Sequence, residues 1–212
     1  MSKIKVDLCV IGAGSGGLWV AAGGVQMGAR VVLIEGHKMG GDCLNYGCVP
    51  SKALIRSASF LKQAQNSKSL GMTQAQVDYD FADVMARVHR VVKTVEPHDS
   101  IERYTQLGVE VLEGKARITS PWSVEVNGQT LTTRAIVIAT GASPAVPKIP
   151  GLEDVRYYTS DTIWSLTERP ERLVVLGGGP IGCELSQAFA RLGCQVTQVE
   201  MGDLMAREDA DA

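Results

Sequence analysis

The 212-residue sequence has no basic excess: 21 lysines and arginines stand against 23 aspartates and glutamates, a formal net charge of −2. Nothing in that balance would neutralise a phosphate backbone, so nucleic acid is not an expected partner. Long apolar runs are also missing, with none approaching the ~18 residues of a membrane span. The opening MSKIKVDLCV has too short an apolar stretch, and no small-residue cleavage site, for a secretory signal. These absences lead to the expectation of a soluble, cytoplasmic chain without a membrane partner. Histidine is scarce, and neither His89 nor His98 has the cysteines or carboxylates of a metal site nearby, so both are expected to be solvated helix residues. Glycine is what the chain has in excess, 23 residues against an average near ~7%.

The glycines are organised. VDLCVIGAGSGGLWVAAGGVQMGARVVLIE and RLVVLGGGPIGCELSQAFARLGCQVTQVE superimpose at an offset of 165 positions, pairing Gly12 with Gly177, Gly14 with Gly179 and Gly17 with Gly182. The same offset pairs Gly28 with Gly193 and Glu35 with Glu200. Each copy reads as strand, G-x-G-x-x-G turn, small-residue helix, glycine, strand and glutamate, a βαβ dinucleotide-binding unit written twice. The first glycine permits the tight turn, the second lets backbone approach a pyrophosphate at the helix N-terminus, and the third lets the helix close on the strand. Glu35 and Glu200 would accept a hydrogen bond from a ribose 2′-hydroxyl and repel a 2′-phosphate.

Of five cysteines, Cys9 lies in the first strand and is expected to pack as a small hydrophobe, as are Cys183 and Cys194. Cys43 and Cys48 stand in MGGDCLNYGCVPSKALIRSASFLKQ, a glycine-rich entry before a helical pattern with Leu54, Ala58 and Leu61 on one face. Five helical residues rise ~7.5 Å, beyond the usual Cα separation across a disulfide. A bridge would therefore need residues 44–47 bent out of the helix, with Gly47 making the bend. Such a small ring on a cytosolic protein would be a reducible, working disulfide. Lys52, one turn beyond Cys48, would favour a thiolate. A zinc site is not expected, because only His37 is near and no second cysteine pair follows. Two unrelated buried thiols are the remaining alternative, one that leaves the flanking glycines and lysine unexplained.

GGDCLNYGCVPSKAL resembles the active-site stretch of the flavin-dependent pyridine nucleotide–disulfide oxidoreductases, the class I family of dihydrolipoamide dehydrogenase, glutathione reductase and mercuric reductase. AIVIATGASPAVPKIPG is similar to that family's second flavin-domain signature and LVVLGGGPIGCEL to its NAD(P)H motif. The resemblance implies an α/β fold: a Rossmann-like FAD-binding domain with a β-meander over residues 1–150, lacking its later segment, then the start of a Rossmann-like NAD(P)-binding domain over 151–212. It implies FAD on Gly12, Gly14, Gly17, Glu35, Gly41, Asp42, Ala116, Thr140 and Gly141, and a pyridine nucleotide on Gly177, Gly179, Gly182 and Glu200. Cys43 would be the interchange thiol and Cys48 the thiol at the flavin, with Lys52 near flavin N5 and paired with Glu184. Three departures stand out. Asp42 replaces a common threonine and should disfavour the Cys43 thiolate. Pro180 stands where relatives carry an aromatic or aliphatic residue over the nicotinamide pocket. The later flavin segment and the C-terminal interface domain, with its His–Glu acid–base pair, lie outside the sequence.

Between the motifs, Phe81, Val84, Val88, Val91 and Val95 mark one helical face up to Pro97. VEVLEG, KARITS, WSVEVNGQTLTT and AIVIAT then read as strands, with Asn127–Gly128 as a two-residue hairpin turn. Trp122 and Trp164 are expected to be packing residues. Pro144, Pro147, Pro150 and Gly151 mark a crossover between domains, after which Ser160 is positioned to cap a short helix through Leu166 and residues 173–176 form a strand. The expected activity passes electrons from NAD(P)H, with NADH favoured by Glu200 unless Arg207 reaches a phosphate, through FAD and the cysteine pair to a disulfide or mercuric ion. A homodimer is expected for the whole enzyme. The alternatives are a non-catalytic flavin- or nucleotide-binding fragment and a flavin oxidase or monooxygenase without a working disulfide.

Overall fold

A computed structural model describes residues 3–73 and 75–209. Its strands are β1 (Lys3–Ile11), β2 (Val31–Glu35), β3 (Glu110–Glu113), β4 (Arg117–Ser120), β5 (Ser123–Val126), β6 (Gln129–Ile138), β7 (Arg172–Leu176) and β8 (Gln195–Val199). The α-helices are α1 (Ser15–Gln26), α2 (Gly41–Asn45), α3 (Cys48–Gln65), α4 (Phe81–Val95), α5 (Ile101–Gln106) and α6 (Pro180–Arg191). The chain divides into two compact units, each made of two stretches: Met1–Cys48 with Val92–Val155, and Val49–Val91 with Arg156–Ala212. No helix among the described residues is long and apolar enough to cross a membrane.

The first unit is built on a mixed sheet in the order β3-β2-β1-β6-β5-β4. β1 pairs in parallel with β2 on one side and β6 on the other, and β2 with β3, whereas β4, β5 and β6 form an antiparallel meander. Because β1 leads through α1 to β2 on one side while β6 flanks its other side, the carboxyl ends of β1 and β6 open a crevice at a switch of strand order. One apolar cluster, including Val10, Leu18, Ala21, Val31, Leu33 and Val109, joins α1 to the sheet. A second, including Val6, Cys9, Ile34, Val124 and Leu131, joins the parallel strands to the meander. Asn127 and Gly128 turn β5 into β6 with φ of +50° and +75°, the left-handed pair that a two-residue hairpin of this type requires. The segments TLTT and AIVI, read from sequence as two strands, form one: β6 pairs antiparallel with β5 up to Thr132 and parallel with β1 up to Ile138.

The second unit holds the other βαβ motif, with β7 and β8 parallel and α6 between them. Pro180 sits in the first turn of α6, where its missing N–H has no helical acceptor to lose. Phe189, Leu192 and Cys194 are buried, and the Phe189 ring lies 6.3 Å from that of Phe81.

Several local expectations are corrected. The buried stripe of α4 is Phe81, Met85 and Val88, with Val84, Val91 and Val95 only half-buried. After α4, a 3-10 turn over Glu96–Asp99 leads to α5, whose first turn is capped by Ser100 Oγ accepting from the Arg103 N–H at 3.2 Å. Ser160 caps nothing. A single 3-10 turn spans Ile163–Ser165, and Thr162 Oγ1 instead accepts from the Thr159 N–H at 2.9 Å. Trp164 is buried as expected, but Trp122 is 61% exposed on the meander. His89 and His98 are exposed, yet their rings are engaged, with the Trp164 carbonyl at 3.0 Å and Arg103 at 3.1 Å.

Candidate redox and nucleotide sites

The two glycine turns are near copies. Gly12 and Gly177 have φ of +103° and +117°, which an L side chain resists. Gly14 and Gly179 end each turn as N-caps at φ/ψ of −80°/−177° and −77°/−179°. A Cβ on Gly17 would lie 1.8 Å from the Gly12 carbonyl oxygen and one on Gly182 2.3 Å from that of Gly177, so each helix closes on its turn only because the third glycine has no side chain. Neither α1 nor α6 has a side-chain cap or an acidic residue in its first turn. Uncapped N–H groups and the positive end of the helix dipole, beside backbone without side chains, fit a pyrophosphate.

The glutamates close the turns from below. Glu35 Oε2 accepts from the Ala13 N–H at 2.6 Å and Oε1 from the His37 N–H at 2.7 Å. Glu200 Oε2 accepts from the Gly178 N–H at 2.5 Å, and Oε1 from the Met201 and Gly202 N–H groups at 2.7 and 3.4 Å. These donors hold the Glu200 carboxyl below the usual carboxylate range. Each repeat thus ends its second strand on a carboxylate held by a backbone N–H of its own glycine turn.

The cysteine loop is docked on the first turn. The Gly40 N–H donates to the Ala13 carbonyl at 2.9 Å, and a Cβ on Gly41 would come within 2.6 Å of Gly14 Cα. The helix breaks where a Cys43–Cys48 pair needs it to. After α2, the Tyr46 and Gly47 N–H groups both turn back to the Asp42 carbonyl, at 2.8 and 2.7 Å, and α3 starts at Cys48. Gly47 contributes room rather than a left-handed bend, since its φ is not positive and a Cβ there would be 3.1 Å from Asp42 Oδ2. Asn45, which no motif marked, staples the loop through Nδ2 to the Met39 and Gly41 carbonyls at 3.0 and 2.8 Å.

Cys43 is half-buried and Cys48 exposed, both as thiols. The Cys43 thiol is pushed up to about 11, first by burial, then by hydrogen bonding with Cys48 and by its charge, with Asp99 adding further repulsion. Asp99 is thus an acid acting on Cys43 that no motif marked. Alkylation of Cys43 by iodoacetamide in the reduced protein should therefore rise about tenfold per pH unit to near pH 11. Asp99→Asn should move that midpoint down, and a profile already flat at pH 8 would contradict the assignment.

Of the other expected site residues, Thr140 lies against the first turn, since a Cβ on Gly12 would meet Thr140 Cα at 3.1 Å and the Ala139 carbonyl oxygen at 2.2 Å. Gly141 follows at φ +69°, and Ala116 packs against the meander cluster between β3 and β4. Lys52 Nζ donates to Glu184 Oε2 at 2.5 Å in an exposed ion pair, so a carboxylate balances the ammonium expected to favour a thiolate.

The model of the pyridine nucleotide-disulphide oxidoreductase family matches residues 6–212. The chain belongs to that family. It is 34% identical to a mercuric reductase of Lysinibacillus sphaericus over 98% of the chain and 38% of the relative, and 35% identical to a dihydrolipoyl dehydrogenase of Acholeplasma laidlawii over 96% and 61%. The HOCl-induced flavoprotein disulfide reductase RclA from Escherichia coli superimposes with a TM-score of 0.80 at 32% identity, covering 97% of this chain and 44% of that one. The chain thus spans less than two thirds of each relative. The sheet with its antiparallel meander is the fold expected of this oxidoreductase family.

Proposed function

We propose that this chain carries the flavin site, the redox cysteines and the opening of the nucleotide site of an NAD(P)H-dependent flavoprotein disulfide oxidoreductase. The observation that carries this reading is the docking of the cysteine loop on the first glycine turn, Gly41 against Gly14, with Cys43 and Cys48 in contact two and seven residues further on. Residues 1–150 form the FAD domain, with Gly12, Gly14, Gly17, Glu35, Gly41, Asp42, Ala116, Thr140 and Gly141 holding the cofactor. Residues 151–212 begin the NAD(P) domain, with Gly177, Gly179, Gly182 and Glu200 holding the pyridine nucleotide. Lys52, paired with Glu184, is assigned to the reacting end of the flavin by family resemblance.

When bound, FAD would relay an electron pair from the nicotinamide to the protein disulfide. Two electrons and one proton open the Cys43–Cys48 bridge to a thiol at Cys43 and a thiolate at Cys48, and a base then takes the Cys43 proton. The Cys43 thiolate then attacks a substrate disulfide, releasing one thiol and leaving a mixed disulfide. Cys48 attacks Cys43 Sγ, releasing the second thiol and restoring the bridge. With its thiol at about 11, Cys43 is ionised to only about one part in 10⁴ at pH 7, so this step needs a base at Cys43. The His–Glu pair of the family's C-terminal domain fits that need, and a homodimer would present it. A mercuric ion, a soft thiophile, is the second substrate class that the cysteine pair suits. NADH is the favoured donor because Glu200 would repel a 2′-phosphate.

Thiol titration of the native enzyme tests this directly: one equivalent of NADH under anaerobic conditions should expose two additional thiols, more slowly with NADPH. No gain in thiols would contradict the proposed function, and a preference for NADPH would contradict the role of Glu200.

A further inference from the structure

The two glycine turns share a backbone but are held by different chemistry. The peptide unit joining Gly177 to Gly178 is gripped at both ends. Its C=O accepts from Gln198 Nε2 at 2.9 Å, and its N–H donates to Glu200 Oε2 at 2.5 Å. The equivalent Gly12–Ala13 peptide has the carboxylate, Glu35 Oε2 on the Ala13 N–H, but the position equivalent to Gln198 is Leu33, which donates nothing. Around Gln198 the polar character continues. Cys183 Sγ lies 3.5 Å from Gln198 Nε2 and donates to the Gly178 carbonyl at 3.4 Å, where the first repeat has the buried Leu18.

The reason for the second grip is local. Ala13 restrains the first peptide by its Cβ, whereas Gly178 has none, and one added there would lie 2.8 Å from Leu204 Cδ2 and 2.9 Å from Glu200 Cγ, so that both side chains would have to shift. A peptide between two glycines can rotate at low steric cost. If a ribose draws the Glu200 carboxylate away, Gln198 alone keeps the peptide oriented.

We propose that Gln198, supported by Cys183, is a positioning residue for the pyridine nucleotide, clamping the Gly177–Gly178 peptide so that the second turn keeps its shape while Glu200 engages the ribose. This rests on the assignment of the second repeat to the pyridine nucleotide.

The test is equilibrium binding of NADH to the native holoenzyme by fluorescence titration. Gln198→Met keeps the shape without the donor, and Gln198→Glu puts an acceptor against the carbonyl. Both should weaken NADH binding by about fivefold or more, the loss of one part-buried hydrogen bond, with KM for NADH raised, kcat at saturation unchanged and FAD content unaltered. NADH affinity within twofold of native in both variants would overturn the proposal. Gly179→Val, which blocks backbone approach, separates the two ideas. If it abolishes NADH binding while Gln198→Met does not weaken it, the clamp alone fails; if it leaves binding intact, the assignment of the second repeat fails.

Discussion

Cys48→Ser is expected to lower NADH-driven disulfide reduction by at least about 10³-fold while leaving FAD content and NADH binding within about twofold of native. The proposed cycle needs both sulfurs: one would attack the substrate, and the other would release it by re-forming the bridge. The variant should stall after a single mixed disulfide. A second readout follows from the electrostatics of the pair. Cys48 contributes two of the influences that raise the Cys43 thiol, a hydrogen bond and a charge, so its removal should lower the Cys43 midpoint and speed alkylation at pH 8. Turnover near the native level would show that the pair is not the redox centre. Unchanged alkylation would show that Cys48 does not help to set the Cys43 value.

Gly17→Ala is expected to destabilise the protein by about 3 kcal/mol or more and to abolish retention of FAD. The added methyl would sit 1.8 Å from the Gly12 oxygen and 3.0 Å from its carbon, both backbone atoms that no rotamer change can move aside. Either α1 tilts off the sheet or the turn opens, and both destroy the cradle. Gly23 is the control on the same helix. A Cβ there meets nothing within 4 Å, so Gly23→Ala should stabilise by about 0.5–1 kcal/mol through helix propensity. Urea denaturation of the two variants and a flavin assay on each decide the matter. Equal stability of Gly17→Ala and native protein would contradict the packing account.

What the sequence made legible was what local chemistry dictates. A glycine at positive φ, a third glycine under a carbonyl and an Asn-Gly hairpin each leave a one-residue mark, and so the two βαβ units and the meander could be read from the sequence, whereas the break between Cys43 and Cys48 followed only on the condition that the two are bridged, and Gly47 does not make it by a left-handed bend. Less was legible where a side chain acts across the fold. Asp99 reaches Cys43 over 56 positions of chain, and no spacing rule marks it. Asn45 carries no motif signal, and its amide holds two carbonyls only once the loop is folded. Glu35 and Glu200 were read as ribose ligands, and the 165-residue offset already paired them, but their grip on Ala13 and Gly178 exists only once strand and turn are folded together. Gln198 is the clearest case, because the offset that aligned it with Leu33 recorded a difference whose meaning required the peptide plane to be seen. Ser160 and Val84 fail for the opposite reason: local propensity pointed to a cap and a buried face, but the 3-10 turn has no side-chain cap and tertiary packing buries Met85 instead.

The central claim is that a cysteine pair docked on the first nucleotide turn exchanges electrons with a flavin held there. Anaerobic titration of the native enzyme with NADH, followed by its visible spectrum, tests it most directly. The expected result is a long-wavelength thiolate–flavin absorption band that appears with the first two electrons and is absent in Cys48→Ser. Direct bleaching of the flavin without that band in the native enzyme would contradict the account.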